Sequence, residues 1–160
     1  MEADWLWALG LTVLMIVGAW QDIRYRRLPN WLALLLLAYG LVHCGGTGGF
    51  TELLSCFGHT VIALVVGMAL FRFGLIGGGD AKFYAGTASY FVFGEALFLL
   101  LSVSLSGLLL VSLWIGYRRL SGKKVMRAAS DKDKFPYGIA IAAGAIVAAW
   151  HPFYTAAISL

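Results

Sequence analysis

Apolar residues run along this chain in six blocks: Trp5 to Trp20, Trp31 to Cys44, Leu53 to Ile76, Phe83 to Phe93, Ala96 to Tyr117 and Tyr137 to about Ala157. A bilayer core of ~30 Å takes about 20 residues of apolar helix, so the blocks predict membrane-spanning helices. The fourth block is too short to cross comfortably alone, yet Phe83 to Tyr117 taken whole is too long for one helix. Lys82 precedes that stretch and Arg118 and Arg119 follow it. Basic residues at both ends favour an even number of crossings, so two helices are expected to meet at Phe93-Gly94-Glu95. The expected fold is all-α, a single domain over residues 1–160 built as a bundle of six transmembrane helices.

Composition strengthens this picture. The chain is 61% hydrophobic and only 12% charged, with a mean hydropathy of +0.83, whereas soluble domains are roughly one quarter charged. The first block is preceded by Glu2 and Asp4 and has no small-residue cleavage site, so it reads as a retained span rather than a signal peptide. A net charge of +4 and a pI near 9.2 raise the question of nucleic acid. The basic residues, however, sit in short loops between apolar blocks, the pattern of topology signals, so no nucleic-acid partner is expected.

Six spans put all 12 Lys and Arg residues on one side. The opposite loops hold Glu2, Asp4, Glu52 and Glu95. Lys and Arg favour the cytoplasm, so both termini are expected outside, in an inner-membrane protein whose other surroundings are lipid. Gly45 to Gly49 reads as a flexible outer loop, and Arg118 to Phe135 as a basic cytoplasmic one. Cys44 and Cys56 read as two small buried apolar residues, with a disulfide as the alternative. No metal site or cofactor is encoded, because neither C-x-x-C nor a His/Cys cluster occurs. His43, His59 and His151 are scattered and read as packing or interface residues.

Two acids stand out. Asp22, in Q-D-I-R-Y-R-R-L-P-N, closes the first block, and Asp80, in G-G-G-D-A-K, opens the fourth. Both adjoin basic clusters at the predicted cytoplasmic face, and an acid at the edge of hydrocarbon is a functional-site hypothesis by default. Pro29 restricts Leu28 to extended geometry, and Asn30 can then cap the next helix. Gly77, Gly78 and Gly79 offer positive φ and close approach of other backbone. Taken singly, Asp22 reads as well as a salt-bridge partner of Arg24 or Arg26, and Asp80 as a helix N-cap. Together they suit shared chemistry: two neighbouring carboxyls cannot both ionise easily, so one stays protonated while the other activates water. Lys82 either favours the charged form of Asp80, holds substrate carbonyls, or serves only as a topology signal.

These motifs carry a family resemblance. G-G-G-D-A-K fits the G-x-G-D signature of intramembrane aspartic proteases. With D-I-R-Y-R-R-L-P-N and Phe135-Pro136-Tyr137-Gly138 in the same order, the chain resembles the type IV prepilin peptidases. The resemblance implies an aspartic endopeptidase with Asp22 and Asp80 as the catalytic pair. It implies motif-supporting roles for Gly77, Gly79, Lys82, Pro29, Asn30, Pro136, Tyr137 and Gly138. The implied substrate is a pilin-like precursor whose short basic leader stays cytoplasmic while its apolar helix lies in the bilayer. The chain lacks the N-terminal region with paired C-x-x-C motifs that accompanies N-methylation in longer members. It is therefore similar to the short peptidases of tight-adherence (Flp-type) pilus systems or archaeal relatives. Without the resemblance, the same acids also suit a small proton- or cation-coupled transporter. The sequence leaves the oligomeric state open.

Overall fold

The computed structural model of the chain describes residues 4–121 and 137–158, with side chains as far as His151. Pro136 and the basic loop beyond Ser121 lie outside the described residues. Five α-helices follow in order: α1 (Asp4–Tyr25), α2 (Asn30–Arg72), α3 (Gly78–Ala88), α4 (Ala96–Leu120) and α5 (Tyr137–Ile158). A single 3-10 turn, Phe93–Glu95, precedes α4, and no strand occurs among the described residues. The all-α expectation is met. Among the described residues, three stretches are long and apolar enough to cross a membrane: α1, α2 and Phe93–Leu120. With 11 residues, α3 reaches only about 16 Å.

The expected outer loop at Gly45 to Gly49 is instead helical up to a sharp break. Gly49 has φ 68° and ψ −157°, a combination open essentially to glycine alone, and there the chain reverses. Cys44 and Cys56 show the reversal directly: an unbroken helix would separate them by about 18 Å, yet their Cα atoms are 6.7 Å apart. The two cysteines form a disulfide, which corrects the reading of them as plain apolar packing, although both are buried. Thus α2 is a hairpin of two antiparallel legs, matching the second and third apolar blocks.

Helix ends follow local rules. Gly74, at φ 72°, closes α2 in a Schellman arrangement: Leu75 N donates to Leu70 O at 3.0 Å and Gly74 N to Phe71 O at 2.9 Å. This stops the helix short of the predicted Ile76. Arg26, at φ 54°, ends α1 in the same left-handed conformation, with its N–H on Asp22 O at 3.0 Å. Asn30 does not cap α2. Pro29 holds the cap position in extended geometry without a side-chain bond, and Asn30 is the first helical residue.

The core combines large apolar side chains, among them Leu11, Met15, Leu32, Leu36, Phe83 and Leu99, with small residues at the helix crossings. The face of α1 that is buried repeats at Ala8, Leu11, Met15, Gly18 and Asp22, the three-and-four spacing of one helical stripe. Phe83 of α3 packs on Gly18, α2 meets the turn after α3 at Gly40, and α5 meets the backbone of α4 at Gly144. Without a strong hydrophobic drive between helices in lipid, such close backbone approach supplies the packing. Antiparallel α1 and α5 are pinned twice, by Trp150 Nε1 donating to Thr12 Oγ1 at 3.0 Å and by Gly138 on Asp22.

Candidate active site

Asp22 is the last member of the buried α1 stripe and is only 7% exposed. Its Oδ2 accepts the backbone N–H of Gly138 at 2.7 Å, a charge-assisted bond to one of the free donors of the first turn of α5. A glycine is needed there for space: a Cβ on Gly138 would lie 2.8 Å from Asp22 Oδ2 and 2.9 Å from Asp22 Cβ. The Arg26 guanidinium acts on the same carboxyl electrostatically.

Asp80 lies in the first turn of α3 and is half-buried. The N-cap is Gly77, not Asp80, and the Asp80 carboxyl turns back over that glycine. A Cβ on Gly77 would fall 2.6 Å from Asp80 Oδ2, so this glycine too is required by close approach. The expected positive φ is not used: Gly77 is extended at φ −74° and ψ 143°, and Gly78 and Gly79 are helical. Gly79 instead sets its backbone against Leu28 in the L-P-N turn, so the two motif segments pack on one another.

The two acids come from helices far apart in sequence and are brought close enough for the Asp22 charge to act on the Asp80 carboxyl. Lys82 does not pair with either acid; its Nζ donates to Asn30 Oδ1 at 3.0 Å, linking the start of α3 to the start of α2. Tyr137 opens α5, is exposed, and lines a cavity of about 740 Å³ on whose wall Asp80 also lies. Among the described residues no group of three His, Cys, Asp or Glu side chains could hold a metal ion.

Sequence reasoning treated Gly138 only as a motif member and missed its bond to Asp22; the signal available was an apolar-stripe position occupied by an acid. It also missed Tyr84, which lines the cavity beside Asp80. His59 is a packing residue as expected, with Nδ1 donating to Phe91 O at 3.0 Å.

A buried acid on α1 that accepts the Gly138 N–H, a second acid on α3 and glycines that leave room for both carboxyls lie at one end of a membrane-type helical bundle. The Type IV leader peptidase family matches residues 9–112, more than half of the chain, and the chain belongs to that family. It is a peptidase of the kind that acts on prepilin-like precursors. Neither the curated proteins nor the solved structures gave a match.

Proposed function

We propose that the chain is an aspartic endopeptidase of the cytoplasmic membrane that removes the short basic leader from type IV pilin-like precursors. The observation that carries this reading is the placement of both acids at the start of α5: Asp22 accepts the Gly138 N–H there, and Asp80 shares a cavity wall with the adjoining Tyr137. Neighbouring carboxyls share a proton, so the charged one takes a proton from water while the protonated one donates to the scissile carbonyl oxygen. The resulting gem-diol collapses with the roles exchanged, and the pair titrates as a unit. Gly138 holds the Asp22 carboxyl in place through its N–H group, and Gly77 leaves room for the Asp80 carboxyl.

The whole chain acts as one domain crossing the bilayer six times, if the two legs of α2 and the short α3 are counted singly, with both termini outside. Two features support that orientation. The disulfide lies at the end of the bundle away from the acids, and disulfides persist on the oxidising side of a membrane. Asp4, Glu52 and Glu95 act electrostatically on groups at that same end, while Arg26 and Lys82 lie at the aspartate end. The test is incubation of purified protein with a pilin-like precursor from the same genome, the cut being read by mass spectrometry. Wild type cleaves just before the apolar helix and Asp22→Asn and Asp80→Asn do not; cleavage retained in both variants refutes the proposal.

A further inference from the structure

The second leg of α2 and the helix α4 each present an apolar stripe to the other without closing on it. On α2 the stripe runs through His59, Ala63, Val66, Gly67 and Leu70; on α4 it runs through Leu97, Leu100, Ser104 and Leu108. Both repeat every three to four residues, the signature of a helix face built for a neighbour. The gap between them is the cavity of about 740 Å³, floored by Ala81 and Tyr84 of α3 and by Ala140 and Ile141 of α5. Val66, Leu97, Leu100 and Leu108 are each at least half exposed, so the gap opens sideways from the bundle. From His59 to Leu70 it runs about 17 Å, roughly three helical turns.

Resting on the peptidase reading above, we infer that this groove is the docking slot for the apolar helix of the precursor, which enters sideways from the bilayer. Two features select that occupant. Asp80 is itself on the groove wall, so a helix seated there delivers the bond before its first turn to the proposed catalytic pair. Asp80 is also the charged residue on the described wall, and no Lys or Arg lines it. The rest of the wall is apolar apart from His59, Ser104 and the tyrosines, which suits an uncharged helical segment that starts beside Asp80. The seated helix runs outward from Asp80, antiparallel to both α4 and the second leg of α2. Val66 and Leu108 therefore meet its first turns, and Leu97 meets a later one.

Neighbouring residues provide the controls. Val65 and Leu109 are 63% and 61% exposed but lie off the groove. The photoreactive residue p-benzoylphenylalanine is placed singly at Val65, Val66, Leu108 or Leu109 of the full chain carrying Asp80→Asn, and each protein is illuminated with the pilin-like precursor. Cross-links to the precursor's apolar helix from Val66 and Leu108, and none from Val65 and Leu109, are expected. Cross-links from Val66 and Leu108 only to lipid or to a second copy of the chain overturn the slot, as do precursor cross-links only from Val65 and Leu109. In the active chain, Val66→Trp with Leu108→Trp raises KM for the full precursor by about tenfold or more, by removing ground-state binding. A shortened substrate that ends a few residues after the cut, without the apolar helix, is cleaved as by wild type. Unchanged KM for the full precursor overturns the slot while wild-type cleavage leaves the peptidase reading standing; failure of wild type to cleave refutes that reading and the slot with it.

Discussion

Substitution of Gly138 by alanine tests whether the contact between α1 and α5 sets the geometry of Asp22. The added methyl would lie 2.8 Å from Asp22 Oδ2, 2.9 Å from Asp22 Cβ and 3.1 Å from Asp22 Cγ. Comfortable carbon contact is about 3.5–4.0 Å, so the start of α5 must move away from α1 by roughly 0.7–1 Å. The 2.7 Å bond from Gly138 N to Asp22 Oδ2 then exceeds hydrogen-bonding distance. A bond to a charged group is worth about 1.5–3 kcal/mol, and a misplacement of about 1 Å costs on the order of 100-fold in rate. Gly138→Ala is therefore expected to lower kcat for precursor cleavage by about 10- to 100-fold, read from initial rates by mass spectrometry. Thermal unfolding of the same sample separates this from loss of folding, since overpacking a helix contact costs about 1–3 kcal/mol. Gly116→Ala, where nothing lies within 4 Å of the added methyl, is the control. A Gly138→Ala enzyme within twofold of wild type in kcat refutes the reasoning.

Gly49→Ala must force alanine into φ 68° and ψ −157°, and destabilisation of about 1–3 kcal/mol in chemical or thermal unfolding is expected. Gly46→Ala, in open helical space, is expected instead to stabilise by roughly 0.5–1 kcal/mol; equal effects would dismiss the hairpin turn. The Cys44–Cys56 disulfide spans a sequence separation of 12, so Cys44→Ala with Cys56→Ala should cost about 2–3 kcal/mol. Wild type denatured without reductant should take up no thiol reagent, and uptake of two equivalents would show that the bridge is absent. A double-mutant cycle on Lys82→Met and Asn30→Ala should give a coupling of about 0.5–1.5 kcal/mol for their hydrogen bond, and purely additive effects would show that it contributes nothing.

Much of this protein was legible in the sequence because it depends on local physics. Long apolar blocks become helices in the predicted order, since a backbone in hydrocarbon must satisfy its own hydrogen bonds. Pro29 marks a helix start, and the motif acids were identifiable as residues out of place among apolar neighbours, whereas Gly74 ends α2 before the predicted Ile76. What failed was the conformation of individual glycines. Gly45 to Gly49 reads as a loop from composition, but the chain needs only Gly49 to turn, so the rest stays helical. Gly77 to Gly79 reads as a source of positive φ, but their small size is what matters, letting Asp80 and Leu28 come close. Pairings across the fold lay beyond the sequence altogether. Gly138 on Asp22, Lys82 on Asn30 and Cys44 with Cys56 each depend on which helix faces which, and helical periodicity fixes a face without naming the partner it meets. The groove beside Asp80 belongs to the same class. Two apolar stripes are visible in the sequence, but only the tertiary packing of α3 and α5 between them keeps them apart, leaving an open slot where periodicity alone would predict a closed contact.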